Sequence, residues 1–281
     1  MEGMDSALVE AAGGFRASRP APFVREAGAG PGVVCLHANA SSSSQWRSLM
    51  ELLAPRGRVL AADAYGAGTS PAWPGHRPLR LRDEAALLEP VLERAGSSLA
   101  LVGHSYGAAV ALVAAAARPA RVRALALYEP TLFALLDRAS PPPNDSDGIR
   151  FAVANAAAAV AAGEPDRAAE CFIDFWSGDG TWAAMPEARR VPIRASIVDV
   201  GAWGSALFTE PTPLAAFAAL RVPVLLMVGT SSPPSGRGVA RLLARVLPQV
   251  EMVELEGLGH MGPVTHAHVV NRVIADFLER C

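Results

Sequence analysis

A serine between two glycines, Gly103-His104-Ser105-Tyr106-Gly107, follows the apolar run Leu99–Val102 and opens the helical pattern Tyr106–Ala117. A strand that turns this sharply into a helix projects its central side chain from the carboxyl edge of a sheet. The glycines remove Cβ atoms that would crowd the turn. The first amides of the following helix favour developing negative charge. With 19 serines and 25 glycines in the chain, chance alone places ~0.15 such patterns in a sequence of this length. The bare pattern is therefore weak, and a structural turn is its plainer reading. The strand–turn–helix setting makes Ser105 a candidate nucleophile.

A serine needs a base. Gly259-His260-Met261-Gly262 lies between the apolar run Val250–Leu255 and the last amphipathic pattern, His266–Leu278. A histidine on a glycine-bounded loop at a strand's carboxyl end can reach a serine on a neighbouring strand, so His260 is the candidate general base. His266 and His268 fall in or beside the last helix and read as structural. His104 is expected to point away from the serine, and His76 lies in a Pro/Gly loop. The loop Leu36-His37-Ala38-Asn39-Ala40 ends another apolar run. Its Asn39 amide, with the amide of Tyr106, is a candidate oxyanion hole; an ordinary strand-end loop is the alternative. His37 reads as scaffold. The turn Asp63-Ala64-Tyr65-Gly66-Ala67-Gly68-Thr69-Ser70 is not GxGxxG, so no dinucleotide site is indicated; Asp63 is expected to bond loop amides.

These residues need elements to position them. Val33–Leu36, Val59–Ala62, Leu99–Val102, Val122–Tyr128 and Val222–Val228 are near-continuous apolar runs, as in parallel strands covered on both faces. Helical patterns at Gln45–Leu53, Asp83–Ala95 and Tyr106–Ala117 alternate with them, which predicts an α/β domain with a mostly parallel sheet. Pro90 is expected to kink or shift the second pattern. From about Thr131 to Leu220 the rhythm breaks. Helical patterns at Ile149–Ala162 and Asp166–Trp176 occur there without a convincing strand, which predicts a helical insertion. Phe133, Phe172, Trp176 and Trp182 in this segment are candidates for an apolar substrate pocket; packing of the insertion onto the core is the alternative. Arg150, Arg167, Arg189 and Arg190 read as a solvated face.

Composition sets bounds. The 281 residues are 51% hydrophobic and 19% charged with a net charge of −2, which argues against disorder and against a nucleic-acid or anionic-membrane partner. All 25 basic residues are Arg, so Schiff-base chemistry and a Walker loop are excluded. Cys35, Cys171 and Cys281 form no CxxC pair, so neither a disulfide framework nor a metal site is indicated. The N-terminal MEGMDSALVE lacks the regions of a signal peptide, and no stretch is long enough to span a bilayer. The expectation is a soluble, cytoplasmic protein without a cofactor, acting on a small molecule. The sequence does not specify its oligomeric state.

Taken in order, the loop at His37-Ala38-Asn39, the DxxGxGxS turn at Asp63 to Ser70, Ser105 in its elbow and the late Gly259-His260 resemble the α/β-hydrolase fold superfamily. The resemblance runs from about Phe23 to the end, except the insertion. It implies a mostly parallel sheet flanked by helices, with core parts at 1–130 and 221–281 and a helical cap at 131–220. Two departures stand out. The family's loop usually reads His-Gly where this chain has His37-Ala38, and the extra methyl is expected to alter the loop or narrow the pocket. The family's acid usually follows strand seven, but here that stretch is Gly229-Thr230-Ser231-Ser232-Pro233, and no carboxylate lies between Glu210 and Glu251. Haloalkane dehalogenases, which resemble this chain at His37-Ala38-Asn39, place the acid after strand six. That position is Glu129 here. Either Glu129 orients His260, or it is a hinge residue and a water or Ser231/Ser232 holds the histidine. The resemblance and the serine together imply a hydrolase of carboxylic esters or related acyl compounds; C–C hydrolase, thioesterase and lactonase activities stay open. The missing strand-seven acid also admits a ligand-binding protein on a hydrolase scaffold.

Overall fold

Runs that bury side chains on both faces become the central strands of one sheet. The computed structural model describes residues 20–281; the N-terminal MEGMDSALVE lies outside them. Seven strands take the order β1-β3-β2-β4-β5-β6-β7. They are β1 (Val24–Ala27), β2 (Gly32–Leu36), β3 (Arg58–Ala62), β4 (Leu99–His104), β5 (Val122–Tyr128), β6 (Val224–Gly229) and β7 (Val250–Leu255). Only β1 runs antiparallel, on β3; the other pairings are parallel. The sequence did not reveal β1. Its VREA is short, and three of its four residues are only half-buried, so pairing with β3 rather than apolar patterning creates it. The run at Val222 enters the sheet only at Val224 because Pro223 has no N–H to donate.

The helices follow the sheet rhythm: α1 (Arg47–Leu53), α2 (Leu81–Leu87), α3 (Glu89–Ala95) and α4 (Tyr106–Ala117). The expected break at Pro90 is present. One pattern becomes two helices, with Pro90 in the first turn of α3, where its missing N–H costs nothing. Helix α4 is buried on every side from Tyr106 to Ala115, and its alanines let it lie between the sheet and the insertion. A Cβ on Gly107 would stand 2.3 Å from the Leu36 carbonyl oxygen and 2.6 Å from that of His37. Backbone meets backbone there, which seats Ser105 directly above the end of β2.

Between β5 and β6 the chain forms helices without a strand: α5 (Ala134–Ala139), α6 (Asp147–Ala161), α7 (Pro165–Ser177), α8 (Thr181–Ala184), α9 (Glu187–Ser196), α10 (Val200–Phe208) and α11 (Leu214–Phe217). Their apolar faces join α4 in one continuous core that includes Leu112, Phe133, Phe172 and Trp203. On the other face, α1 and the C-terminal helix cover the sheet through Leu49, Leu53, Val270 and Ile274. After β6 come α12 (Pro234–Ala244), β7, α13 (Gly262–Thr265) and α14 (Ala267–Leu278). Among the described residues no helix is long and apolar enough to cross a membrane.

Gly107→Ala forces the Leu36–His37 backbone to move and is expected to cost about 1–3 kcal/mol, as overpacking does. Urea unfolding of the two proteins measures it; an unchanged midpoint would show that this close approach is not required.

Candidate active site

Strand register brings the first two groups together. His104 pairs with Tyr128 across β4 and β5, and Tyr128 pairs with Met227 across β5 and β6. The ladder continues one step, with the Ser105 amide donating to the Tyr128 carbonyl at 2.9 Å and the Glu129 amide to that of Met227 at 3.0 Å. Ser105 and Glu129 therefore leave adjacent strands at the same edge. Both have left-handed backbones, φ 56° at Ser105 and 44° at Glu129. Non-glycine residues are held in that region only by their surroundings.

His260 joins them. Its Nε2 lies 2.9 Å from Ser105 Oγ, and its Nδ1 lies 2.6 Å from Glu129 Oε2. Glu129 has no exposure, His260 is 1% exposed and Ser105 6%. The other carboxylate oxygen, Oε1, accepts from the Gly229 amide at 2.8 Å and the Ser232 hydroxyl at 2.5 Å. The stretch after β6 that lacks a carboxylate thus supplies two donors to the carboxylate on β5. One of the two readings of the sequence has a water or Ser231/Ser232 holding the histidine; in the structure Ser232 bonds Glu129 instead. Gly236 at the start of α12 leaves the room, since a Cβ there would stand 2.7 Å from Oε2.

The His260 loop is also fixed through its backbone. Tyr128 Oη donates to the Gly259 carbonyl at 2.7 Å. His104 Nε2 donates to the His260 carbonyl at 2.8 Å, and its Nδ1 accepts from Gln45 Nε2 at 3.1 Å. That pattern is a neutral ring. Burial, reinforced by the nearby His260, holds the His104 pKa well below the usual histidine range. His37 is likewise a scaffold ring, with Nδ1 donating to the Ala38 carbonyl at 2.7 Å and Nε2 accepting from the Ala64 amide at 3.0 Å; burial lowers its pKa. Asp63 accepts from the Ser43 amide at 2.5 Å and the Thr69 amide at 3.4 Å, the loop-bonding role its turn predicted. His76 is exposed, and His266 bonds Thr265 at 2.9 Å, away from the site.

Asn39 and Ser105 line one cavity of about 560 Å³. Among the described residues, no carbonyl accepts from the amide of Asn39 or of Tyr106. The neighbouring Ala38 amide is engaged by Gln45 Oε1 at 3.2 Å. Ala38 is not among the residues with positive φ, so this loop does not need the family's glycine, and Ala38 itself lines the cavity. The Tyr106 side chain turns away and donates to Glu84 at 3.2 Å.

Of the four aromatic candidates, Phe172 and Trp176 line the cavity and Phe133 and Trp182 do not. Phe133 is packed beneath Trp176 and against Phe208, with ring centroids 6.5 and 5.1 Å away. Trp182 is buried under the Arg190 guanidinium, 5.4 Å from its ring. Trp176 does more than line a wall. Its indole stacks on the His260 imidazole, centroids 3.7 Å apart and planes at 24°. Spacing along α7 marks Trp176 as buried, but nothing local specifies its contact with a loop 84 residues further on.

Glu84 was not singled out by the sequence. Its signal is a carboxylate on the buried stripe Leu81, Glu84, Ala85, Leu88. It is 3% exposed and accepts from the Tyr65 amide and Tyr106 Oη, each at 3.2 Å. Burial pushes its pKa up to about 7 from an ordinary 4.5. The folded state thus holds this proton more tightly than the unfolded chain. The resulting stability is full below pH 4.5 and is lost as pH rises through about 7. Glu84→Gln keeps the neutral shape without the ionisation. Between pH 5 and 8 the wild type is expected to lose up to ~3 kcal/mol more than the variant. Parallel urea-stability profiles would show that Glu84 does not titrate in this window.

Residues 33–273 match the model of the alpha/beta hydrolase family. The chain is 39% identical over 110 residues to a haloalkane dehalogenase of Mesorhizobium japonicum, covering 38% of this chain and 34% of that protein. The chain thus matches about a third of that relative's length. It is similar in structure to a thermophilic esterase from Thermogutta terrifontis (TM-score 0.70, 25% identity), over 92% of this chain and 93% of that one. An enol-lactonase from Burkholderia xenovorans shares the fold (TM-score 0.72, 19% identity, 92% and 96% coverage). With a matched region that takes in β2 through β7 and carries the serine, histidine and glutamate at the carboxyl edge of the sheet, the chain belongs to the alpha/beta hydrolase family.

Proposed function

We propose that this hydrolase cleaves a carboxylic ester or a related acyl compound through an acyl-enzyme. The observation that carries the reading is the continuous chain from Ser105 Oγ through His260 to the buried Glu129 carboxylate, at 2.9 and 2.6 Å. Ser105 Oγ attacks the carbonyl carbon while His260 Nε2 takes its proton. The negative charge passes to the carbonyl oxygen, which the Asn39 and Tyr106 amides receive. Glu129 holds the ring through Nδ1 and stabilises the imidazolium, and the indole face of Trp176 attracts the same cation. The proton then goes to the leaving group as the carbonyl reforms. Water repeats the sequence on the acyl-enzyme, returning Ser105 and releasing the acid.

The nucleophile favours acyl chemistry over the dehalogenation named for the Mesorhizobium relative. A serine that displaced halide from a saturated carbon would leave an ether, which water does not cleave under these conditions. An acyl ester on the same oxygen is hydrolysed by the same base. The helical segment 131–220 serves as a cap between core parts 1–130 and 221–281, since α7 and α9 supply much of the cavity wall above Ser105. The engaged hydrogen bonds of Glu129 and His260 support turnover over a purely ligand-binding role.

Treatment with a fluorophosphonate is expected to add one adduct to the intact mass of the wild type and none to that of Ser105→Ala. A folded wild type that takes no adduct overturns the assignment of Ser105. Glu129→Gln is expected to slow acyl-enzyme formation by up to ~10⁴-fold, as amide replacement of a triad acid does in serine proteases. A rate near wild type would reject Glu129 as the acid.

A further inference from the structure

Helix α9 has no buried residue, yet one of its faces is far from solvent-like. Ala188, Arg189, Pro192, Ile193 and Ser196 line the cavity above Ser105. Their spacing is that of a single helical face. Phe172, Ile173 and Trp176 of α7 and Met185 before α9 extend the same wall. Ile193 of this face packs in part on the core, while Ala188 and Pro192 stand exposed along the cavity and offer an apolar surface to something that enters it.

One residue on that face does not fit a purely apolar occupant. Arg189 is exposed, as expected of a solvated face shared with Arg150, Arg167 and Arg190, and it also lines the cavity. Arg167 is exposed on α7 away from the cavity lining, and other arginines of the insertion are occupied. Arg150 pairs with Asp137 at 2.6 Å and covers Phe208. Arg190 bonds the Ala183 carbonyl and covers Trp182. Arg194 pairs with Asp166 at 2.8 Å and Glu187 at 3.0 Å. Among the described residues, the Arg189 guanidinium has neither an ion pair nor a hydrogen-bond acceptor, and no carboxylate side chain lines the cavity. Glu129 lies behind His260 with no exposure. Apart from His260, Arg189 is the one ionisable group of the described lining.

We infer that the acyl substrate carries a carboxylate remote from its scissile bond, and that Arg189 binds this carboxylate while the apolar face of α9 covers the chain between. The inference rests on the reading of Ser105 as an acyl-transfer nucleophile. A guanidinium presents paired donors that match a carboxylate.

The test compares p-nitrophenyl hydrogen esters of adipic, suberic and sebacic acids with the p-nitrophenyl monoacyl esters of equal chain length. At the best length, the wild type is expected to prefer the carboxylate-bearing ester in kcat/KM by about tenfold, through a lower KM. Arg189→Gln is expected to remove the preference by raising KM for the carboxylate-bearing ester more than for the neutral one, and Arg189→Lys to keep part of it. Added salt is expected to shrink it. If none of these esters turns over, the same comparison is read from protection of Ser105 against the fluorophosphonate by the dicarboxylates and the matching fatty acids. Equal handling of charged and neutral compounds by a wild type that labels at Ser105, or a preference that survives Arg189→Gln, overturns the inference. A wild type that does not label removes the acyl-transfer reading beneath it.

Discussion

A carboxylate without any exposure to water persists in a protein interior only where its lone pairs are engaged. Glu129 is in that position, and the site is arranged around it. One oxygen takes the His260 ring, and the other takes the Gly229 amide and the Ser232 hydroxyl. These partners come from the end of β6, the stretch after it and the loop after β7, so with Glu129 at the end of β5 three neighbouring strand ends are tied through one side chain. The left-handed backbone at Glu129 is the conformation that turns its side chain back into the sheet edge, and the ladder bond to Met227 holds it there.

The polar groups around this centre divide between those that hold the His260 loop and those that position Ser105. Tyr128 and His104 fix the carbonyls of Gly259 and His260, so the imidazole is positioned by its backbone as well as by its ring. On the other side, Gly107 lets α4 approach β2 closely, which brings the Ser105 elbow beside the Asn39 loop. His37 and Asp63 tie that loop to the turn after β3. Removal of any one partner leaves a buried polar group unpaired, which costs more than the bond itself contributes.

The insertion reaches His260 through Trp176. The indole continues the aromatic packing of Phe133, Phe172 and Phe175 down to the face of His260. The His260 ring is therefore bounded by the core through hydrogen bonds and by the insertion through a stacked ring. The cavity lies between the two parts, with donors from the loop after β2 on one side and the apolar faces of α7 and α9 on the other.

Much of this was legible in the sequence because it depends on local chemistry. Apolar runs mark strands buried on both faces, Pro90 marks a helix start, and glycines around Ser105 and His260 mark turns that project side chains. Such signals are written in a few adjacent residues. Strand β1 was not legible, since four residues with two charges among them form a strand only when a neighbour pairs with them. Sequence spacing left Glu129 undecided between acid and hinge. It could not choose because the partners of Glu129 lie 100, 103 and 131 residues away, and parallel register alone brings them together. The same holds for Trp176, Glu84 and Arg189. Periodicity says which helical positions share a face, but packing of the insertion over the sheet decides whether that face meets the core, the catalytic ring or an open cavity.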